Sequence, residues 1–165
     1  MCQEMSKVGK ESVAESTRAV SGVLVGRFYH NLDPKKRFTI PREWRAVMGD
    51  PDYVYVMPDH KEGCLNLVPK AEMEARLEKL REKALFDPAL NRALQVIGGN
   101  SEQLMLDVQG RIRVSDKLLQ FANLTTTVAM VGSVRMIKLW DPKALGDADA
   151  VDQVALGQAL EIAGF

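Results

Sequence analysis

Two short stretches of the 165-residue chain repeat one spacing of opposite charges: Asp33-Pro-Lys-Lys-Arg37 and Asp107-Val-Gln-Gly-Arg111. In each, the aspartate opens a run of turn-forming residues, the arginine closes it, and alternating apolar residues follow. An arginine just past a tight turn projects from the rim of a two-stranded unit. Its planar fork can donate paired hydrogen bonds to acceptors such as guanine O6 and N7. Arg37 and Arg111 are therefore the first candidates for base contact. Asp33 and Asp107 are assigned to stabilising the turns and orienting the arginines. Pairing within each turn for purely structural reasons is the competing reading.

Cations flank both turns. Lys35, Lys36, Arg42, Arg45, Arg113 and Lys117 are candidate phosphate contacts, which set register and salt dependence without reading sequence. The formal net charge is zero, so the chain cannot grip a polyanion through its overall field. Zero is nevertheless a sum of segregated parts. Residues 35–45 carry +4, residues 111–117 carry +2, and everything after Leu145 carries −4. Solvated surface is the bland alternative for either basic run.

Other chemistries find little support. The sequence has no nucleophile elbow, Walker loop or dinucleotide fingerprint, and Gly98-Gly99 reads as a helix stop. His30 falls in an apolar strand and His60 in an exposed loop, so no metal site, cofactor or catalytic group is expected. Cys2 and Cys64 are too few for a disulfide framework or zinc cluster. Trp44 and Trp140 read as core residues rather than stacking platforms. Apolar stretches such as Val128–Val131 and Leu65–Val68 fall far short of the roughly 20 residues that cross a bilayer. Met1–Arg18 mixes charges and lacks a signal-peptide h-region. A non-enzymatic, cytoplasmic protein without a membrane span is expected.

Residues 1–21 read as a flexible or loosely helical extension. Val23–His30 has strand composition, Arg37–Ile40 alternates as a short strand, and Pro41 begins a helix closed by Gly49 with Trp44, Val47 and Met48 inward. Tyr53–Met57 and Cys64–Val68 form a hairpin across Pro58–Gly63. Met73, Leu77 and Leu80 mark an amphipathic helix over 69–83, and Asp87-Pro88 caps another that ends at Gly98-Gly99. The first order then returns: strand Gln103–Leu106, turn, strand Arg111–Val114, helix from Ser115, and strands Thr126–Val131 and Val134–Trp140. Phe38 and Ile40 match Ile112 and Val114, Trp44 matches Leu118, and Leu65-Asn-Leu67 matches Ile137-Lys-Leu139. Agreement in element order makes this an internal duplication. An acidic helix over Asp147–Ile162 closes the chain, with Val151, Val154, Ala155 and Leu160 as its apolar face.

The stretch Gly26-Arg-Phe-Tyr-His-Asn-Leu-Asp-Pro-Lys-Lys-Arg-Phe-Thr-Ile-Pro41, with Leu106-Asp-Val-Gln-Gly-Arg-Ile-Arg-Val114, resembles the MraZ family of bacterial transcription factors. That family's pattern is an Asp-x-x-x-Arg element in each of two half-modules related to the AbrB-type swapped hairpin. The resemblance covers roughly Gly22 to Leu145. It implies an α+β fold in which two AbrB/SpoVT-like swapped-hairpin half-modules, over 22–70 and 101–145, form a small β-barrel. A helical linker would span 71–100 and a terminal acidic helix 146–165. It also implies a nucleoid-associated ring homo-oligomer that binds promoter direct repeats in double-stranded DNA and regulates the division and cell-wall operon.

Two positions depart from the family. Lys36 stands where glycine is usual, and Ser115 where proline is usual. A left-handed Lys36 would cost about 1 kcal/mol relative to glycine, unless the turn takes another shape. With so few cations per half, repetition in a ring is required for useful affinity, since matched linkage raises avidity by roughly 10²–10⁴. The first turn, richer in lysine, is expected to dominate affinity, and the second to keep the family geometry. A protein-interaction or antitoxin-like module without direct DNA readout is the alternative, with Asp147–Phe165 as its partner-binding tail.

Overall fold

The computed structural model describes residues 22–146 and 151–165. The extension expected over 1–21, and Asp147–Ala150 of the expected terminal helix, lie outside them. In chain order the elements are β1 (Arg27–Asn31), β2 (Arg37–Thr39), α1 (Arg42–Val47), β3 (Tyr53–Asp59), β4 (Cys64–Pro69), α2 (Lys70–Phe86) and α3 (Pro88–Asn100). They continue as β5 (Glu102–Met105), β6 (Arg111–Arg113), α4 (Asp116–Phe121), β7 (Thr127–Ser133), β8 (Met136–Trp140), α5 (Pro142–Leu145) and α6 (Gln153–Ala163). This mixed α+β order repeats strand, turn, strand, helix and hairpin, as the sequence duplication requires.

The two copies are interleaved. One antiparallel sheet has the order β1-β7-β8-β4-β3-β5, and a separate ribbon pairs β2 with β6. Hairpins β3–β4 and β7–β8 meet along β4 and β8, where Leu65, Asn66 and Leu67 face Leu139, Lys138 and Ile137. The outer strands cross over: β1 of the first copy pairs with β7 of the second, and β5 of the second with β3 of the first. Among the described residues the hydrogen-bonded order ends at β1 and β5 without joining them.

Alternation explains the core. On β3, Val54 and Val56 point inward and are fully buried between half-exposed neighbours. One apolar cluster takes residues from both copies, with Phe38 and Ile40 of the first beside Ile112 and Val114 of the second. Burying a side chain of that size stabilises by about 1.5–3 kcal/mol. Trp44 is 3% exposed. Its ring meets Phe28 edge-on at 4.8 Å and its Nε1–H donates to the Val25 carbonyl at 2.9 Å. As expected, Trp44 and Met48 are buried and Val47 packs against the cluster, whereas Trp140 is only partly covered.

Three features differ from expectation. The first strand is shorter, because Gly26 has φ 93° and Val23–Val25 precede the break, with Leu24 bridged to Val134. The second difference is that α3 runs through Gly98-Gly99 to Asn100. Both glycines keep helical geometry at about 1 kcal/mol each relative to alanine. The helix ends where Asn100 Nδ2 donates to the Val96 carbonyl at 2.8 Å and Ser101 Oγ to the Ile97 carbonyl at 2.6 Å. Third, α2 buries only Met73, and Leu77 stays 44% exposed. No described helix is long and apolar enough to cross a membrane.

Candidate nucleic-acid interface

The two Asp-x-x-x-Arg turns close with the same hydrogen bonds. The Asp33 amide donates to the Arg37 carbonyl at 2.9 Å and the Lys36 amide to the Asp33 carbonyl at 2.8 Å. In the second copy, the Asp107 amide donates to the Arg111 carbonyl at 3.0 Å and the Gly110 amide to the Asp107 carbonyl at 2.9 Å. Each aspartate then accepts twice from its own arginine. Arg37 gives its backbone N–H at 2.8 Å and its Nε at 2.7 Å; Arg111 gives the same groups at 2.9 and 2.6 Å. The backbone donation, followed by the guanidinium bond, holds both carboxyls below the usual carboxylate range against the opposing effect of burial.

Both turns put a residue in the left-handed region, Lys36 at φ 59° and Gly110 at φ 77°. Lys36 therefore keeps the glycine-like shape instead of adopting another. Each arginine fork is fixed at its Nε and remains 29% exposed.

The ribbon brings the turns together. Arg37 lies opposite Arg113, Phe38 opposite Ile112, and Thr39 opposite Arg111. Phe38 and Ile112 face the core, so alternation puts Arg37, Thr39, Arg111 and Arg113 on the other face. Arg37 and Arg111 sit diagonally, with Cα atoms about 7–8 Å apart by strand geometry.

The flanking cations divide. Lys35, Arg42, Arg113 and Lys117 are exposed. Lys36 reaches the other copy, placing Nζ 2.5 Å from Asp116 Oδ1, and this contact holds Asp116 below its ordinary pKa. Arg45 is half-buried, and its Nε donates to the Ile40 carbonyl at 3.1 Å. Local spacing carries no sign of Asp116 as a partner of Lys36, because that contact crosses between copies. Ser115 caps α4 by accepting from the Leu118 amide at 3.4 Å and also bonds Glu102.

The chain is 35% identical over 124 residues to the transcriptional regulator MraZ of Pseudomonas savastanoi pv. phaseolicola, covering 72% of this chain and 82% of that protein. The transcriptional regulator MraZ of Corynebacterium jeikeium is 31% identical over 125 residues, 76% of this chain and 85% of the relative. This chain belongs to the MraZ family. A more distant MraZ, from Clostridium acetobutylicum, is 24% identical over 145 residues that span 87% of this chain and all of the relative. Residues 97–147, which include the second turn, match the family model described as "MraZ protein, putative antitoxin-like". The MraZ relatives are named as regulators of transcription, not as enzymes.

One further cluster in this MraZ chain has ligand-type residues. Ligand atoms of Asp59, Glu62 and Cys64 lie within 4.8 Å of one another. Lys138 already fills the position a cation would take, with Nζ 3.0 Å from Asp59 and 2.9 Å from Glu62. Those contacts raise the Lys138 pKa against the penalty of burial, and the Lys138 bond draws Asp59 down to about 2. Burial pushes the Cys64 thiol up to about 11, so it stays protonated and is a poor metal ligand. The cluster ties the β3–β4 hairpin to β8 and is structural.

Proposed function

We propose that this chain is a DNA-binding transcriptional regulator that reads sequence through Arg37 and Arg111. The supporting observation is the ribbon face, where both half-buried arginines stand on the side away from the core with their Nε edges held by Asp33 and Asp107. That restraint leaves the terminal Nη pair of each guanidinium as a fork for guanine O6 and N7 in the major groove. Preorientation lowers the entropy lost on binding. Lys35, Arg42, Arg113 and Lys117 would contact phosphates; Lys36 would do so while shared with Asp116.

The crossed pairing of β1 and β5 supports a swapped-hairpin relationship between half-modules 22–70 and 101–145, with sheet and ribbon closing over one core in the manner of a small barrel. Helices over 71–100 link them. A ring of copies binding direct repeats upstream of division and cell-wall genes, in the nucleoid-associated cytoplasm, completes the reading. Exposed apolar residues on α2 and α3, such as Phe86 and Val96, suit contacts between copies.

Titration of labelled DNA from upstream of the chain's own gene, at several salt concentrations, tests the proposal. Arg37→Ala and Arg111→Ala should each lose about 1–3 kcal/mol of specific binding, while substitution of a phosphate-contacting lysine should lower the salt slope by about 1. Unchanged binding in both arginine variants sinks it. A second reading, an antitoxin-like interaction module, is favoured by α6, whose Val154 and Ile162 are 72% and 87% exposed. Under that reading the arginine variants bind DNA no worse than the parent chain.

A further inference from the structure

Arg45 belongs to the first copy, yet its guanidinium lies on the second turn. A Cβ built on Gly110 would come within 2.4 Å of Arg45 Cζ and 2.5 Å of its Nε and Nη1. The guanidinium plane thus occupies the volume that a side chain at 110 would need, and Gly110 is buried beneath it. The same residues close a loop of hydrogen bonds. The Ile40 amide donates to the Gly110 carbonyl at 2.9 Å, and the Ile40 carbonyl accepts from Arg45 Nε at 3.1 Å. At its backbone, Arg45 donates to the Pro41 carbonyl at 3.0 Å, so the start of α1 anchors the side chain. In the first turn the corresponding Lys36 is exposed and paired with Asp116, with no such cover.

We propose that Arg45 is a positioning residue for the Asp107–Arg111 turn, not a phosphate contact. It acts through Gly110: the guanidinium presses the left-handed residue against Ile40, fixing the turn from which Arg111 projects. Base preference at Arg111 is then set partly by the other copy of the repeat. The planar group is essential, because an ammonium at the same place keeps the charge but cannot cover a peptide plane. This inference rests on the reading of Arg111 as a base contact.

Two measurements on the full chain test it, using Arg45→Ala, Arg45→Lys, Gly110→Ala and, as control, Arg42→Ala. The first is backbone hydrogen exchange by mass spectrometry. All three changes at the brace should speed exchange over 107–113 by roughly five- to tenfold, as loss of one hydrogen bond permits, and leave 33–37 unchanged. Arg42→Ala should alter neither stretch. The second is the preference for duplex from upstream of the chain's own gene over a scrambled duplex. Arg45→Ala and Arg45→Lys should each reduce that preference by on the order of tenfold with the salt slope kept, whereas losing a phosphate contact lowers the slope by about 1. Unaltered exchange over 107–113, or full retention of preference by Arg45→Lys, overturns the proposal. Arg111→Ala separates the two levels: if it leaves preference intact, the base-contact reading fails, and the exchange result still decides the brace.

Discussion

The turn at Asp33–Arg37 and the turn at Asp107–Arg111 reach one shape by different means. Both place a residue at positive φ, and both hold the arginine Nε on the aspartate within 2.7 Å. The first uses Lys36, stands open to solvent and pairs with Asp116 of the other copy. The second uses Gly110 and lies under Arg45 of the other copy. Since β2 and β6 run antiparallel, each turn is completed by the helix following the opposite strand. Charge counted along the sequence therefore misstates the charge around each turn. The lysine-rich first turn meets an acid, and the lysine-poor second turn meets an arginine. The expectation that the first turn dominates affinity counts charge along the sequence and leaves out Asp116 and Arg45.

The largest effect belongs to the buried face shared by both turns. Phe38→Ala should destabilise by about 3–5 kcal/mol and Ile112→Ala by about 2–5, measured by urea unfolding, because both are essentially unexposed. A cost below 1 kcal/mol for either would show that the ribbon is not seated on the core. Exchanging the left-handed residues comes next. Gly110→Lys should cost more than the roughly 1 kcal/mol of left-handed strain, since it must also displace Arg45, whereas Lys36→Gly should be neutral or stabilising by up to about 1 kcal/mol. Equal and opposite effects would show that the turns share one environment.

Acid sensitivity gives a subtler contrast. Asp33 and Asp107 have lowered pKa values, so each contributes stability that is complete above the unfolded value near 3.8 and lost as pH falls through the lower folded value. Asp59, drawn down to about 2, extends the loss further into acid. Asp33→Asn and Asp107→Asn should flatten the stability-against-pH curve below pH 3.8 to similar degrees; flattening by only one would mark the other turn as unpaired in solution. The smallest effect is that of Asp116→Ala: its ion pair with Lys36 is exposed and screened by solvent, so urea unfolding should hardly shift and added salt should erase what difference there is.

The elements were largely legible because their signals are local: alternation on β3, the Asp87-Pro88 cap, and the turn residues at 33–37 and 107–111. The Asp–Arg pairing inside each turn followed from spacing for the same reason. Gly98-Gly99 misled because glycine weakens a helix without forbidding it, and side-chain caps at Asn100 and Ser101 set the end instead. The ribbon, the crossed outer strands and the Lys36–Asp116 and Arg45–Gly110 contacts join residues far apart in sequence, where periodicity carries no signal. A clue was available in the duplication itself. Strands of three residues, once in each copy and lacking a hairpin partner, are natural partners for each other.

The most direct test of DNA reading by the paired turns is specific binding measured side by side for the parent chain, Arg37→Ala and Arg111→Ala at one salt concentration, against a scrambled duplex. Losses of about 1–3 kcal/mol in both variants, on the specific duplex alone, are predicted. Specific and scrambled binding that stay unchanged in both, or fall together, would contradict it.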